Sequence, residues 1–210
     1  RVWKEQELRK LGDICVKYDI IVVSDEIHSD FTYPGHQHRI FASLSPAYAD
    51  ITVTCTAPSK TFNLAGLQIS NIFISNTDLR KRFKEEIEAQ GYSQVNLMGL
   101  AACQAAYENG GEWLDRLKEY LYGNLAFVKA FLQEYLPEIT LIEPEGTYLI
   151  WLDFRSLNLP EEELEDLIVN KANLWLDSGA IFGTVGRGFE RINIACPRKT
   201  LEKALVQLEQ

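Results

Sequence analysis

Residues 20–30 of the chain have the sequence IIVVSDEIHSD, in which four β-branched apolar residues are followed at once by polar ones. An uninterrupted apolar run of this kind predicts a strand buried on both faces, as in a sheet that helices cover on both sides. Polar residues that follow such a strand mark the edge at which open α/β sheets bind their ligands. The stretch therefore predicts an α/β fold with a candidate site that begins at Asp25.

The segments on either side of this run predict more helices and strands of the same layered fold. Apolar residues spaced three and four apart predict a helix over residues 4–18. Two further short strands are predicted over 51–56 and 68–75, and a charged helix with one apolar face is predicted over 77–90.

The pattern changes after Pro137, and the change divides the chain. Long helical stretches broken at 109–111 come before it, and short strands (one of them at 181–182) mixed with two helices come after it. Such a mixture indicates a second, smaller α+β unit. The sequence therefore predicts the larger layer over residues 1–111, a bridging helix over 112–136 and the small carboxyl-terminal unit over 137–210.

The composition is that of a folded, acidic protein. The chain has 210 residues, of which 46% are hydrophobic, and it carries a net charge of −9. This surplus of carboxylates argues against a broad nucleic-acid-binding surface, and no apolar run approaches the ~20 residues of a membrane-spanning helix. The four cysteines stand far apart in the sequence, which favours reduced thiols and a cytoplasmic location. We therefore expect neither nucleic acid nor membrane among the partners.

Lys60 and Asp25 are the residues whose positions after predicted strands suggest chemistry. A lysine at a strand end among small and apolar neighbours can be partly desolvated, and the neutral amine is the nucleophile that forms a Schiff base. Taken singly, Lys60 is more simply explained as a surface residue and Asp25 as a turn cap. Taken together, they match the needs of pyridoxal phosphate, because the lysine binds the cofactor and the acid keeps its ring nitrogen protonated.

Two other patterns suggest sites but have simpler explanations. His36 and His38 have the spacing of a metal-binding pair, but they lie in a turn and no third ligand is evident, so no metal site is expected. The glycine-rich stretch 183–188 lacks the strand-to-helix context of a dinucleotide-binding loop. We interpret it as a flexible loop beside the substrate.

Five motifs stand in the order expected for one known family. They are VSDEIHSD at 23–30, APSKTFNLAGL at 57–67, EPEGTYLIWLD at 143–153, GTVGRGF at 183–189 and RINIACPR at 191–198. Together they resemble the carboxyl-terminal half of a fold-type I, class I/II aminotransferase-like enzyme, and more narrowly the MalY/PatB group of cystathionine β-lyases. The resemblance covers essentially the whole chain, and it identifies residues 1–111 as the carboxyl-terminal part of the large cofactor-binding domain.

The resemblance implies a role for each matching residue. Lys60 corresponds to the Schiff-base lysine and Asp25 to the partner of the pyridine nitrogen. His28 corresponds to the residue near the phenolic oxygen of the cofactor, and Ala57 and Ser59 to residues that contact its phosphate. Arg191 corresponds to the arginine that grips the substrate carboxylate, for which a planar guanidinium is suited.

The implied activity is a carbon–sulfur β-lyase that cleaves cystathionine or another cysteine conjugate to a thiol, pyruvate and ammonia. The implied assembly is a homodimer with its site at the subunit interface. An aminotransferase of the same fold is the second hypothesis, and a non-catalytic fragment or regulatory interaction module is the third.

Two departures from the family pattern bear on these hypotheses. Gln68 stands where many aminotransferases have a phosphate-binding arginine, which weakens the aminotransferase hypothesis. Arg1 corresponds to a position after the family's amino-terminal cofactor segment, so we expect the chain to be a fragment that is inactive alone. We also expect uncovered apolar faces and self-association.

Overall fold

The computed structural model describes residues 1–92 and 94–210, which divide into two compact units, Arg1–Asp115 and Arg116–Gln210. The predicted α/β class is confirmed. The predicted helix over 112–136 is present as α6, Gly111–Tyr135. The predicted domain boundaries stay a prediction. No helix among the described residues is long and apolar enough to cross a membrane.

The first unit alternates helices with the strands of one small sheet. Its elements are α1 (Glu5–Lys17), β1 (Val22–Asp25), α2 (Pro46–Asp50), β2 (Thr52–Thr56), α3 (Pro58–Thr61), β3 (Asn71–Ile74), α4 (Thr77–Ala89), α5 (Leu97–Asn109) and the start of α6. The helical break predicted at 109–111 is confirmed. It lies where a Cβ on Gly110 would come within 2.5 Å of the Phe62 ring, so only glycine fits there.

The sheet of this unit has the order β1-β2-β3. β1 runs parallel to β2, with Asp25 opposite Cys55, and β3 runs antiparallel to β2. Parallel strands end at the same edge of a sheet, so the polar residues that follow β1 and β2 come to the same place.

α1 packs on this unit through an apolar cluster of Leu8, Phe41 and Tyr48. The Tyr48 hydroxyl donates to the Arg9 carbonyl at 3.0 Å and to Asp13 at 2.7 Å. Its ring lies so close to α1 that a Cβ on Gly12 would come within 2.6 Å of it. Gly12 therefore sets how closely the helix and the ring approach.

The prediction that β1 is buried on both faces is wrong for the described chain. Val23 is 68% exposed, and Ile20 and Ile21, which precede the strand, are about half exposed. The reason is that β1 is the edge strand of the sheet and no described element covers this face.

The second unit is an antiparallel sheet with helices. After the remainder of α6 come β4 (Thr140–Ile142), β5 (Leu149–Asp153), α7 (Glu161–Asp166), β6 (Asp177–Ser178), β7 (Phe189–Asn193) and α8 (Arg198–Glu209). The strand order is β4-β5-β7-β6, and every neighbouring pair is antiparallel. α7 continues into a π-helical turn at Leu167–Lys171.

The strand predicted at 181–182 is wrong. Gly179–Phe182 forms a 3₁₀ turn, and a second such turn follows at Thr184–Gly186. The two turns close on each other, because a Cβ on Gly179 would come within 2.0 Å of the Gly186 carbonyl oxygen. The close approach folds this stretch back on itself, so it is not extended.

A buried amide ties α6 to the end of β7. Asn124 is fully buried, and its Nδ2 donates to the carbonyls of Ile194 and Cys196 at 2.8 and 3.0 Å. Its Oδ1 accepts a hydrogen bond from Arg198 Nε at 2.9 Å. The two bonds from Nδ2 provide partners for backbone carbonyls that follow β7 and are not paired within the sheet.

Glu190 is a buried carboxyl in the sheet of the second unit. It lies on β7 between Leu152 and Ser178, and only 3% of it is exposed. Burial, together with the negative charges of Glu165 and Asp177, raises the pKa of Glu190 to about 7. This value is above the ordinary 4.5 of a glutamate. The folded state therefore binds this proton more tightly than the unfolded state does. The resulting contribution to stability is complete below pH 4.5 and is lost as the pH rises through 7.

We expect Glu190→Gln to raise the free energy of unfolding by about 2 kcal/mol near pH 8 and to change it little near pH 4, because burial penalises only the charged carboxylate. Urea unfolding at the two pH values measures the difference. Glu202→Gln, at an exposed position of α8, is the matched control and should be neutral at both. A Glu190→Gln effect of the same size at both pH values would contradict the assignment.

We expect the chain to self-associate at high concentration through the apolar surface around Val23, because exposed sheet edges and apolar patches pair with other chains. Val23→Lys should weaken the association. Gln6→Lys adds the same charge at an exposed polar position of α1 and should not. Static light scattering over a concentration series provides the test, and a chain that stays monomeric throughout would contradict the expectation.

Candidate functional site

Asp25 ends β1 with an exposed side chain. Its Oδ1 accepts a hydrogen bond from the Ile27 backbone N–H at 3.2 Å, which closes the turn after the strand. No described residue donates to Oδ2. Asp25 lies on the same sheet face as Cys55, where burial and then the Asp25 charge raise the pKa of the thiol. The carboxylate therefore has one oxygen that is able to accept a hydrogen bond from a ligand.

Lys60 lies on α3, just beyond the end of β2. Pro58 begins this short helix, a position where its fixed φ is favourable. In the described chain Lys60 is a surface residue, because the short helix carries its side chain into solvent. Among the residues that the structure describes, its amine makes no hydrogen bond or ion pair.

The other residues predicted to bind the cofactor follow the same two strands. Ala57 is buried directly before α3, and Ser59 is half-buried on it. His28 is half-buried in the turns after β1, with its ring 6.5 Å from that of Phe31. Asp25 ends β1, and Lys60 and these residues follow β1 or β2 at the same edge of the first sheet. Their roles toward a cofactor stay predictions.

Gln68, the departure from the family pattern, is exposed at the end of a 3₁₀ turn. Its φ of 52° is in the left-handed region. The residue can offer an amide to a ligand, but it cannot supply the positive charge that the family's arginine brings to a phosphate.

Glu26, next to Asp25, is buried and forms a network that sequence reasoning missed. It is 5% exposed and accepts hydrogen bonds from Ser24 Oγ at 2.9 Å and from the Phe41 backbone N–H at 3.2 Å. It also pairs with His38 Nε2 at 2.7 Å. Burial alone would raise the pKa of Glu26, but the hydrogen bonds from His38, Ser24 and Phe41 outweigh it and hold the pKa below its usual range.

Asp30 forms a second contact that sequence reasoning missed. Its Oδ2 accepts a hydrogen bond from Thr61 Oγ1 at 2.7 Å. Thr61 is only 1% exposed, and it follows Lys60 directly. Asp30 and Ser29 also border an open cavity of about 450 Å³, whose other lining residues are Thr56, Asn71, Phe73 and Tyr107.

Part of this arrangement had a signal in the sequence. Asp30 stands within the quoted motif at 23–30 and Thr61 within the one at 57–67, but a one-dimensional pattern does not tell which hydroxyl a carboxylate will meet. The spacing of His38 from His36 suggests only a metal-binding pair. Its partner, Glu26, lies twelve residues before it, a separation that no local periodicity predicts.

Arg191 lies in the second unit, and its guanidinium is held on two sides. Nε and Nη2 both donate to Asp177 Oδ2, at 3.1 and 2.8 Å. The guanidinium carbon also lies 4.7 Å from the centre of the Phe182 ring, which meets Trp151 edge to face at 5.2 Å. None of the described residues accepts a hydrogen bond from Nη1. The sequence singled out Arg191 but neither Asp177 nor Phe182 as its neighbour.

Comparisons with known proteins identify the family of the chain. Residues 1–208 match the family of class I and II aminotransferases. Cystathionine beta-lyase PatB of Bacillus subtilis (strain 168) is 43% identical over 209 residues, which are 100% of this chain and 54% of the relative. Protein MalY of Escherichia coli (strain K12) is 33% identical over 209 residues, 99% of this chain and 53% of the relative.

A solved structure gives the same result for the fold. The crystal structure of cystalysin from Treponema denticola, which contains a pyridoxal 5′-phosphate cofactor, is 43% identical and has a TM-score of 0.95. It is matched over 100% of this chain and 53% of its own. The chain thus spans about half the length of the relatives it matches. The family match over nearly all of its residues shows that the chain belongs to the class I and II aminotransferases.

Proposed function

We propose that the chain supplies the lysine-bearing part of a pyridoxal-phosphate-dependent carbon–sulfur β-lyase that acts on cystathionine or another cysteine S-conjugate. The observation that carries the proposal is the placement of Asp25 and Lys60 after adjacent parallel strands. The likeness to PatB, a cystathionine β-lyase, supports the lyase assignment.

The residues present fit the cofactor. Lys60 offers an exposed amine with no described partner, and Asp25 offers Oδ2 at the same sheet edge. Amine and carboxylate are the donor and acceptor that bind the aldehyde and the ring nitrogen of pyridoxal phosphate. When bound, this group withdraws electrons from the α-carbon of an amino acid and so lowers the barrier to losing a proton there.

The residues of the chain would then share the work. Lys60 Nζ would hold the cofactor and, as a free amine, would remove the α-proton of the substrate as a general base. Asp25 Oδ2 would accept a hydrogen bond from the ring nitrogen and so favour its charged form. The family resemblance implies that His28 would serve the phenolic oxygen and that Ala57 and Ser59 would serve the phosphate. It also implies that Arg191 would bind the substrate carboxylate.

With a thioether sulfur on the β-carbon, the electron pair left by the α-proton would break the carbon–sulfur bond and expel a thiolate, which takes up a proton to give the thiol. The three-carbon enamine that remains takes up water to give pyruvate and ammonia. An aminotransferase would instead have Lys60 return the proton to the cofactor, and it would need a keto acid to complete its cycle. Gln68 and His28, which depart from the usual aminotransferase residues, favour the lyase.

The assembly and the location belong to the same proposal. We infer a homodimer with a site completed at the subunit interface, as the family resemblance implies. The four free cysteines support a reducing, cytoplasmic compartment. The third hypothesis is a non-catalytic fragment or regulatory interaction module, and the chain spans about half the length of its relatives.

We expect pyridoxal phosphate followed by borohydride reduction to label Lys60 in preference to exposed helical lysines such as Lys84, because Asp25 and the turns beside it hold the ring next to one amine only. Peptide mass mapping identifies the labelled residue. Asp25→Asn should reduce the label at Lys60, whereas Asp78→Asn, on α4, should not. Equal labelling of Lys60 and Lys84 would count against a cofactor site in this chain.

We expect any turnover of cystathionine to release pyruvate and thiol in equal amounts without an added keto acid, since elimination leaves no amino group on the cofactor. The chain alone should be slow, because much of a preorganised site must be present for the full rate. Lys60→Ala is the blank for uncatalysed cleavage. Product formation only after addition of a keto acid would favour the aminotransferase, and none under either condition would favour the non-catalytic fragment.

A further inference from the structure

The loop after β1 is fixed at both of its ends. At its start, the Glu26 backbone N–H donates to the Cys55 carbonyl of β2 at 2.8 Å, and the buried Glu26 carboxylate joins the network with His38. At its end, the Asp30 carboxylate accepts the hydrogen bond from Thr61. The five residues 26–30 therefore connect two anchors, one on the sheet and one on α3.

Between the anchors the backbone has little freedom. The Ser29 N–H donates to the Glu26 carbonyl at 3.0 Å, and the Phe31 N–H donates to the His28 carbonyl at 3.1 Å. Two consecutive turns thus place His28 at the centre of the loop. Because each turn is hydrogen bonded and each end is anchored, the position of His28 depends on where the anchors lie.

The second anchor reaches the helix that carries the reactive lysine. Thr61 is adjacent to Lys60 and almost completely buried, and its hydroxyl donates to Asp30 at the end of the loop. This hydrogen bond links the loop after β1 to α3. A hydroxyl–carboxylate bond at 2.7 Å in a partly buried setting is charge-assisted and strong for its kind.

We propose that Asp30 and Thr61 are positioning residues. Their hydrogen bond keeps Lys60 in the position, relative to Asp25 and His28, that reaction with a phosphorylated pyridine aldehyde requires. The inference rests on the proposed function and deepens it. Neither residue touches the reacting atoms. Both act by fixing the distance between the loop after β1 and the helix after β2.

The test compares Thr61→Val with Thr61→Ser in the chain as it stands. Valine keeps the shape of threonine and removes the donor, whereas serine keeps the hydroxyl. The probe is pyridoxal phosphate, reduced by borohydride, and the readout is the ratio of label at Lys60 to label at Lys84. We expect Thr61→Val to lower this ratio about fivefold, the equivalent of one buried hydrogen bond of ~1 kcal/mol. Thr61→Ser should retain it.

A second pair of variants guards against a folding defect. Asp30→Ala removes the acceptor and should reproduce the fivefold loss. Asp50→Ala removes a carboxylate that accepts from Asn76 at 3.0 Å elsewhere in the unit, and it should leave the labelling ratio unchanged. Circular dichroism and urea unfolding report separately on the fold, and a merely structural role would lower stability without changing the ratio in the protein that remains folded.

The outcomes separate this inference from the proposed function. Selective labelling of Lys60 in the original chain, lost in Thr61→Val and in Asp30→Ala, would support both. Selective labelling that survives both substitutions would overturn the positioning role and leave the cofactor site intact. Equal labelling of Lys60 and Lys84 in the original chain would overturn both together.

Discussion

The parallel pairing of β1 with β2 is the constraint on which the candidate site depends. Side by side and in the same direction, the two strands deliver Asp25 and the segment that leads to Lys60 to one sheet edge. Antiparallel strands would have sent these residues to opposite edges. The pairing continues one residue past β1, where the Glu26 N–H meets the Cys55 carbonyl, so the first residue of the functional loop is still held by the sheet.

The sequence predicted well whatever depends on local pattern. Apolar spacing and glycine position depend on residues that are close together in the sequence. They predict the α/β class, the strand at 51–56, the break at 109–111 and the long helix that follows. The motifs also allowed Lys60 and Asp25 to be chosen, because position relative to a strand end can be read along the chain.

What the sequence did not predict depends on contacts between distant residues. The burial of Val23 was expected from a run of apolar residues, but burial is decided by what covers a strand. Glu26 is buried because its carboxylate finds partners in Ser24, on the strand just before it, and in His38 and Phe41, which lie 12 and 15 residues further on. The strand expected at 181–182 fails for the same reason, because the contact between Gly179 and Gly186 that bends the chain there spans two turns.

That contact between Gly179 and Gly186 has a consequence for how the protein can change. A loop closed by backbone touching backbone depends on its two ends and is largely indifferent to the residues between them, among which Ile181 and Val185 are strongly exposed. The exposed side chains of Ile181 and Val185 can therefore change at little cost to folding. Phe182 is less free to change, because its ring lies against the Arg191 guanidinium.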